Sequence, residues 1–180
     1  IFTSNAFSEI LKIGNENAKI TVKVFSSLTC PHCATFHKKI FENLKENYID
    51  KNLVKFEHHA FPLDLAALNA EKIVRCASNP EMKFKLLEKV YSKQKKWAIG
   101  SDINKINDLL VEIGTDSKIN KSELRACLDN EKTQELILNE RIKAQKEYNI
   151  TSTPTIYIND KKYEDKHEFK SFKKQLDKLL

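Results

Sequence analysis

From Ile20 the chain alternates: Ile20, Val22 and Val24 interleave with Thr21, Lys23 and Phe25, the two-residue period of a strand over 20–27. The run stops at Leu28-Thr29-Cys30-Pro31, and a period of three and four follows. Cys33, His37, Ile40, Leu44 and Tyr48 share one helical face, and Pro31 suits the first helical position, where no N–H is needed. A second strand is expected over 53–61, rich in Val and Phe and closed by Pro62. Strand, helix and strand with so long a connection make a βαβ unit with a right-handed crossover. For about 75 residues after Pro62 the period is helical only. Its stripes are Leu65, Leu68, Ile73, Cys76 and Ala77; then Phe84, Leu87, Val90 and Tyr91, ending near Trp97 and Gly100. Ile103, Ile106, Leu110 and Ile113 form a third, with Gly114 as its expected C-cap. Leu124, Cys127 and Leu128 form a fourth, and Leu136, Ile137, Ile142 and Tyr148 a fifth. Strand alternation returns at Thr155–Ile158, Asn159 and Asp160 turn the chain, and Lys161-Lys162-Tyr163 pairs back as a hairpin. Phe169, Phe172, Leu176 and Leu179 close the chain as an amphipathic helix. The order is βαβ, a helical block, then ββα, with boundaries near Pro62 and Tyr148. No fixed period repeats, which excludes a solenoid.

Composition narrows the classes. With 180 residues, 41% hydrophobic and 31% charged, the chain suits one domain or one domain carrying a large insertion. No apolar run approaches the ~18 residues of a membrane span. Three Gly and four Pro favour helical filling over a turn-rich β protein. The net charge of +6 raises nucleic acid as a partner, but Arg75, Arg125 and Arg141 are the only arginines. The other cations are lysines spread along polar helix faces, such as Lys170, Lys173, Lys174 and Lys178, and a phosphate- or base-reading surface favours the bidentate Arg fork. A solvated lysine face is the reading, with no nucleic-acid partner. The sequence begins at Ile1 without Met or a leader pattern, as expected of an exported protein after signal-peptide removal or of a chain cut at that point. Four cysteines, an even number, agree with an oxidising compartment.

Cys30-Pro31-His32-Cys33 is the strongest chemical signal. It lies where a strand hands over to a helix, placing Cys30 among unpaired N–H groups at the positive end of the helix dipole. A Cys30 thiolate is therefore stabilised and reactive near neutral pH, and His32 can add positive charge. Cys33 follows one turn later, in reach to close a disulfide or resolve a mixed one. Stabilising the Cys30 thiolate stabilises the reduced pair, which makes the disulfide a stronger oxidant. Two blander readings stand beside this one. Cys30, His32, Cys33 and His37 are zinc-ligand types, but His32 is poorly placed between the cysteines and no second ligand pair completes a finger. An inert structural bridge is the other.

Four motifs in this order carry a resemblance over nearly the whole chain: Ser27-Leu28-Thr29-Cys30-Pro31-His32-Cys33, Ala60-Phe61-Pro62-Leu63-Asp64, Arg75-Cys76-Ala77 and Thr153-Pro154. They resemble the DsbA family of thiol-disulfide oxidoreductases, most of all its α-proteobacterial branch. The resemblance implies an α/β thioredoxin fold with an inserted all-helical domain, divided as 1–63 and 140–180 for the thioredoxin-like part and 64–139 for the helical insertion. It implies a periplasmic, monomeric protein thiol oxidase with Cys30 and Cys33 catalytic, Pro31 and His32 tuning them, and no cofactor or metal. Its partners are reduced, folding secreted proteins and a DsbB-type membrane oxidase that restores the disulfide. Thr153-Pro154 is then a cis peptide facing the cysteines, where an extended substrate pairs like an added strand. Cys76 and Cys127 lie on apolar faces of two helices, as buried free thiols or as a bonded pair. The resemblance implies the disulfide.

One departure stands out. The family often has a buried acid six residues before the first active-site cysteine, for proton transfer, and that position here is Val24. Glu57 on the neighbouring strand is a candidate substitute, with a solvated strand-face Glu the alternative. His58 and His59 are expected to be structural, and Trp97 a core anchor. A disulfide isomerase or reductase on the same fold, and a redox-inert peptide-binding module, are the rival functions.

Overall fold

The computed structural model describes residues 10–180. Its centre is a five-stranded sheet in the order β1-β3-β2-β4-β5, formed by β1 (Leu11–Ile13), β2 (Ile20–Ser26), β3 (Val54–Ala60), β4 (Thr155–Ile158) and β5 (Lys161–Lys162). β2 and β3 run parallel, with Val22 opposite Phe56 and Val24 opposite His58, and the other pairs are antiparallel. The short edge strand β1 was not expected; three residues are too few for alternation to show. It is fixed by pairing with β3 and by burying Leu11.

Helix α1 joins β2 to β3 in one run over 31–49. It is α-helical at Pro31–Phe36 and Glu42–Leu44 and widens into π turns at His37–Phe41 and Lys45–Ile49. Between β3 and β4 come α2 (Leu65–Arg75), α3 (Pro80–Ser92), α4 (Gln94–Trp97), α5 (Ile103–Thr115), α6 (Lys121–Leu128) and α7 (Glu131–Tyr148). The closing helix is α8 (Phe169–Asp177). This is a thioredoxin fold carrying a helical insertion. Asp64, Asn79, Asp102, Asn120 and Asn130 each cap the helix that follows with a side-chain oxygen, worth about 1 kcal/mol apiece.

The main core packs α1, α3 and the sheet through Phe36, Phe41, Phe56 and Phe84, with Phe41 and Phe84 stacked at 5.9 Å. Trp97 is fully buried and donates its indole N–H to the Val90 carbonyl at 2.8 Å. On the opposite face of β2, Phe25 packs with Phe61, Ala144 and Ile150.

Three expectations about the helical stripes change. Leu65 is exposed, because it begins α2 just past its cap, outside the packed turns. On α7 the buried positions are Ile137, Glu140 and Ala144 rather than Ile142, which is exposed. Glu140 takes the place of an apolar residue because Arg75 donates to both its oxygens at 2.8 and 2.9 Å. Gly114 does not cap α5, which runs on to Thr115; a Cβ there would meet Leu124 at 2.5 Å, so the glycine serves close packing of α5 on α6.

Candidate active site

β2 ends at Ser26, and residues 27–30 turn the chain into α1, with Cys30 at the N-cap in an extended conformation and Pro31 next. The Cys30 N–H donates to the Ser27 carbonyl at 3.1 Å, and the Cys33 and Ala34 N–H groups donate to the Cys30 carbonyl at 3.1 and 3.2 Å. The helical insertion grips this turn from two sides. Gln94 of α4 is buried and donates its amide to the carbonyls of Leu28 (2.7 Å) and Cys30 (3.0 Å). Asp64, the cap of α2, accepts from the Thr29 hydroxyl at 2.8 Å, and the Leu63 N–H donates to the Ser27 hydroxyl. Asp64 closes the Ala60–Asp64 motif, whereas Gln94 carries no local pattern, being one polar residue among many lysines.

Cys30 and Cys33 are both free thiols, the dithiol state. The Cys30 sulfur is the outer one and lies 3.5 Å from the Thr153 carbonyl oxygen. The Thr153–Pro154 peptide is cis and directly precedes β4, so β4 delivers Thr153 to the cysteines. Cys33 has no exposed surface. The two sulfurs differ electrostatically. A hydrogen bond from the Cys33 thiol lowers the Cys30 thiol from 9.0 to about 5, with further help from Thr153 and from the backbone amides of Cys33 and His32, against the opposing effect of burial. Burial, reinforced by the neighbouring Cys30 sulfur, pushes the Cys33 thiol far up. Near neutral pH the pair holds one thiolate on Cys30 and one thiol on Cys33.

The His32 side chain is exposed. The imidazole of His167, in the loop before α8, is lowered by burial first and by His32 second. Tandem position could not have signalled His167, which arrives from the far end of the chain.

Cys76 ends α2 and Cys127 lies in the last turn of α6, and their sulfurs are bonded at 2.06 Å with Cα atoms 5.9 Å apart. Among the described residues no group of three His, Cys, Asp or Glu side chains could hold a metal ion.

Glu57 is not solvated, but it also does not stand behind Cys33. It pairs with Lys23 across the strands and bonds His59 at 2.9 Å, on the sheet face where His59 meets Phe25. The side chain opposite Val24, on the cysteine face, is His58. His58 is fully buried and its Nε2 contacts Glu71 of α2 at 2.7 Å. A glutamate within an apolar helical stripe is easily taken for a surface residue, and Glu71 went unnoticed for that reason.

The family model described as Thioredoxin matches residues 8–178. A Rickettsia bellii relative named as a protein-disulfide oxidoreductase is 29% identical over 93% of this chain and 63% of its own length. The Bacillus subtilis disulfide bond formation protein D is 29% identical over 93% of this chain and 76% of its own. Among solved structures, Wolbachia pipientis alpha-DsbA1 superposes with a TM-score of 0.88 at 27% identity, covering 95% of this chain and 90% of that one. Oxidised BdbD from Bacillus subtilis superposes with a TM-score of 0.83 at 26% identity, covering 94% and 92%. The chain spans 52% to 63% of the length of the Rickettsia relatives it matches.

Proposed function

This chain belongs to the thioredoxin family, matched over residues 8–178, and on that premise we propose that it is a DsbA-like protein thiol oxidase that donates the Cys30–Cys33 disulfide. The observation that carries the reading is the asymmetry of the pair: a stabilised thiolate at the outer sulfur, a buried thiol at the inner one, and the Thr153 carbonyl 3.5 Å from the outer sulfur.

The chemistry runs in two displacements. A substrate thiolate attacks the Cys30 sulfur of the oxidised pair, forming a mixed disulfide and expelling the Cys33 sulfur. A second substrate thiolate attacks its own partner sulfur, closing the substrate disulfide and expelling Cys30, which leaves easily because its thiolate is stabilised. Two electrons pass from substrate to the pair, with no cofactor or metal required. Pro31 sets the first helical position, and the backbone amides of His32 and Cys33 stabilise the leaving thiolate. Thr153 and Pro154 present a backbone edge on which an extended substrate segment can lie. Leu63 and Leu65 are exposed on either side of Asp64, which bonds Thr29, and they offer apolar contact to an unfolded client.

Residues 64–139 act as the helical insertion domain on a thioredoxin-like part made of 1–63 and 140–180. Cys76–Cys127 is a structural bridge within that insertion. The clients are reduced secreted proteins, reoxidation comes from a DsbB-type membrane enzyme, and the protein works as a monomer in the periplasm. No helix among the described residues is long and apolar enough to cross a membrane.

The test is the equilibrium of the Cys30–Cys33 pair with glutathione in a variant carrying Cys76→Ala and Cys127→Ala. A potential well above the glutathione poise supports a disulfide donor, and one at the thioredoxin end makes the chain a reductase.

A further inference from the structure

Cys33 has a proton problem. In the oxidative direction its sulfur leaves as a thiolate with no exposed surface, and that anion needs a proton. On reoxidation the same buried thiol must give one up before it can attack. The family's acid position is Val24, and Glu57 lies on the other sheet face.

The cysteine face of the sheet nonetheless holds a buried polar cluster contributed by five elements. β2 supplies Ser26, β3 His58, α2 Glu71 and α3 Tyr91, and α1 adds His37. His58 and Glu71 meet at 2.7 Å, a contact that holds at least one proton between two acceptor atoms. His37 stacks on Tyr91 at 4.3 Å and meets Phe41 and Phe56 on its other sides. Tyr91 lies in the same core cluster as Cys33 and stacks on His37, one turn beyond Cys33 on α1; its hydroxyl is raised by burial first and then by Cys33 and Glu71. Buried oxygens and nitrogens on Ser26, Tyr91, Glu71, His58 and His37 have no hydrogen-bond partner, an unusual concentration for a packed interior. His37 and Tyr91 also help line a surface groove with Pro31, Thr35, Lys38 and Glu88. The cluster thus reaches from the sheet face beneath the cysteines to the solvent side of α1.

We propose that the His58–Glu71 pair is the proton store of Cys33, linked to the sulfur through the hydroxyls of Tyr91 and Ser26. This rests on the dithiol oxidase reading. When a substrate thiolate displaces Cys33, the Cys33 thiolate takes a proton from the pair, which refills through the groove. On reoxidation Cys33–SH returns the proton, and its thiolate attacks the disulfide joining Cys30 to the oxidant. The Cys30–Cys33 bond forms, the oxidant sulfur leaves as a thiolate, and both electrons leave with it. Tyr91 stays protonated at rest because burial raises its hydroxyl, and burial keeps His37 neutral, so neither competes for the store. The other charged groups around the cluster are the Cys30 thiolate at the start of α1 and, along the groove, Lys38, Lys39 and Glu42 of α1, Glu88 of α3 and Lys95 of α4.

The experiment is stopped-flow reoxidation of the reduced protein by glutathione disulfide across pH, for the native chain, Glu71→Gln and Tyr91→Phe. The rate of Cys30 alkylation by iodoacetamide is measured beside it. General acid–base assistance is worth 10²–10⁴-fold, so Glu71→Gln should slow the Cys33 step by about 10²-fold at neutral pH. Its residual rate should rise in proportion to hydroxide, and Cys30 alkylation should be unchanged. Tyr91→Phe keeps the ring stacked on His37, removes one oxygen, and should slow the same step in the same pH-dependent way. It decides alone if Glu71→Gln does not fold. Native pH profiles in the folded variants overturn the inference, and so does a parallel change in Cys30 alkylation, which would make the cluster a field acting on Cys30. A native chain whose Cys30 and Cys33 do not exchange with glutathione overturns the oxidase reading itself, and the proton store with it.

Discussion

The two cysteine pairs sit at opposite ends of helices. Cys30 is the N-cap of α1, where unpaired N–H groups and the positive end of the helix dipole favour an anion. Cys76 is the C-cap of α2 and Cys127 lies in the last turn of α6, where unpaired carbonyls disfavour one. A disulfide is exchanged by expelling a thiolate, so the helix end at which a sulfur sits decides how well it leaves. Sequence distance separates the pairs in a second way. Cys30 and Cys33 are one turn apart and constrain little chain, whereas Cys76 and Cys127 close 51 residues. On the proposed function, the same bond chemistry yields an exchangeable pair at one site and a staple at the other.

The largest expected effect is on the first pair. Cys30→Ser should reduce oxidation of a dithiol peptide to the uncatalysed rate, because no sulfur remains at the helix N-terminus for the substrate to attack. Cys33→Ser, loaded beforehand as the mixed disulfide of Cys30 with glutathione, should instead exchange with a single-thiol peptide, release glutathione and accumulate the Cys30–peptide mixed disulfide, visible by mass spectrometry. A Cys30→Ser protein that still turns over would shift the chemistry to the second pair and erase the contrast.

Opening the staple comes next. Replacing Cys76 and Cys127 by Ala should cost about 4 kcal/mol in the chain-entropy account of a loop this long, read as a lower denaturation midpoint. The Cys30 thiolate should titrate as before. If the loss of stability is absent, the bridge is not a staple.

A third test uses pH. The Cys30 thiol is lowered from 9.0 to about 5 on folding, so its contribution to the reduced protein is fully present above pH 9 and is lost as pH falls through 5. The oxidised protein has no such thiol. Denaturation midpoints of the two forms should therefore diverge in favour of the reduced form as pH rises from about 5 to about 8. Parallel curves would show that the fold does not stabilise the Cys30 thiolate.

Gln94 offers a smaller lever. Its amide ties α4 to the carbonyls of Leu28 and Cys30, and removing a buried hydrogen-bonding partner costs about 1–3 kcal/mol. Gln94→Ala should loosen the turn and lower stability by that amount, with peptide oxidation falling alongside. Unchanged oxidation would leave Gln94 a structural residue only.

Much of the fold was legible because its periods are clean. The alternation of β2 and the stripe of Cys33, His37, Ile40, Leu44 and Tyr48 both lie on buried faces as the spacing implies. What was not legible lies where polar residues occupy core positions or where a contact spans the chain. Glu71 and Glu140 carry no local sign of burial, and the structural role expected of His58 is explained only by its partner Glu71. β1 is too short to show a period, and Gly114 resembles a cap because only the packing of Leu124 on α5 reveals its purpose. At the site, Cys30-Pro31-His32-Cys33 marks the location, yet Asp64, Gln94, Thr153 and His167 meet it from distant segments that no local window joins.

The smallest effect separates side chain from backbone at the reactive pair. The groups that lower Cys30 are the Cys33 thiol, Thr153, and the amides of Cys33 and His32. Those amides belong to the helix end and survive any side chain at position 32. The imidazole itself is exposed, and water screens its charge. His32→Ser should therefore raise the Cys30 midpoint, followed by thiolate absorbance, by less than about one pH unit. A midpoint returning close to 9.0 would assign the low value to the histidine side chain. The contrast between the two pairs would then rest on one residue, and placing the same dipeptide beside Cys76 would be expected to make that bridge exchangeable too. A small shift leaves the cause with the Cys33 thiol, Thr153 and the helix-end amides, a set that Cys76 and Cys127 lack.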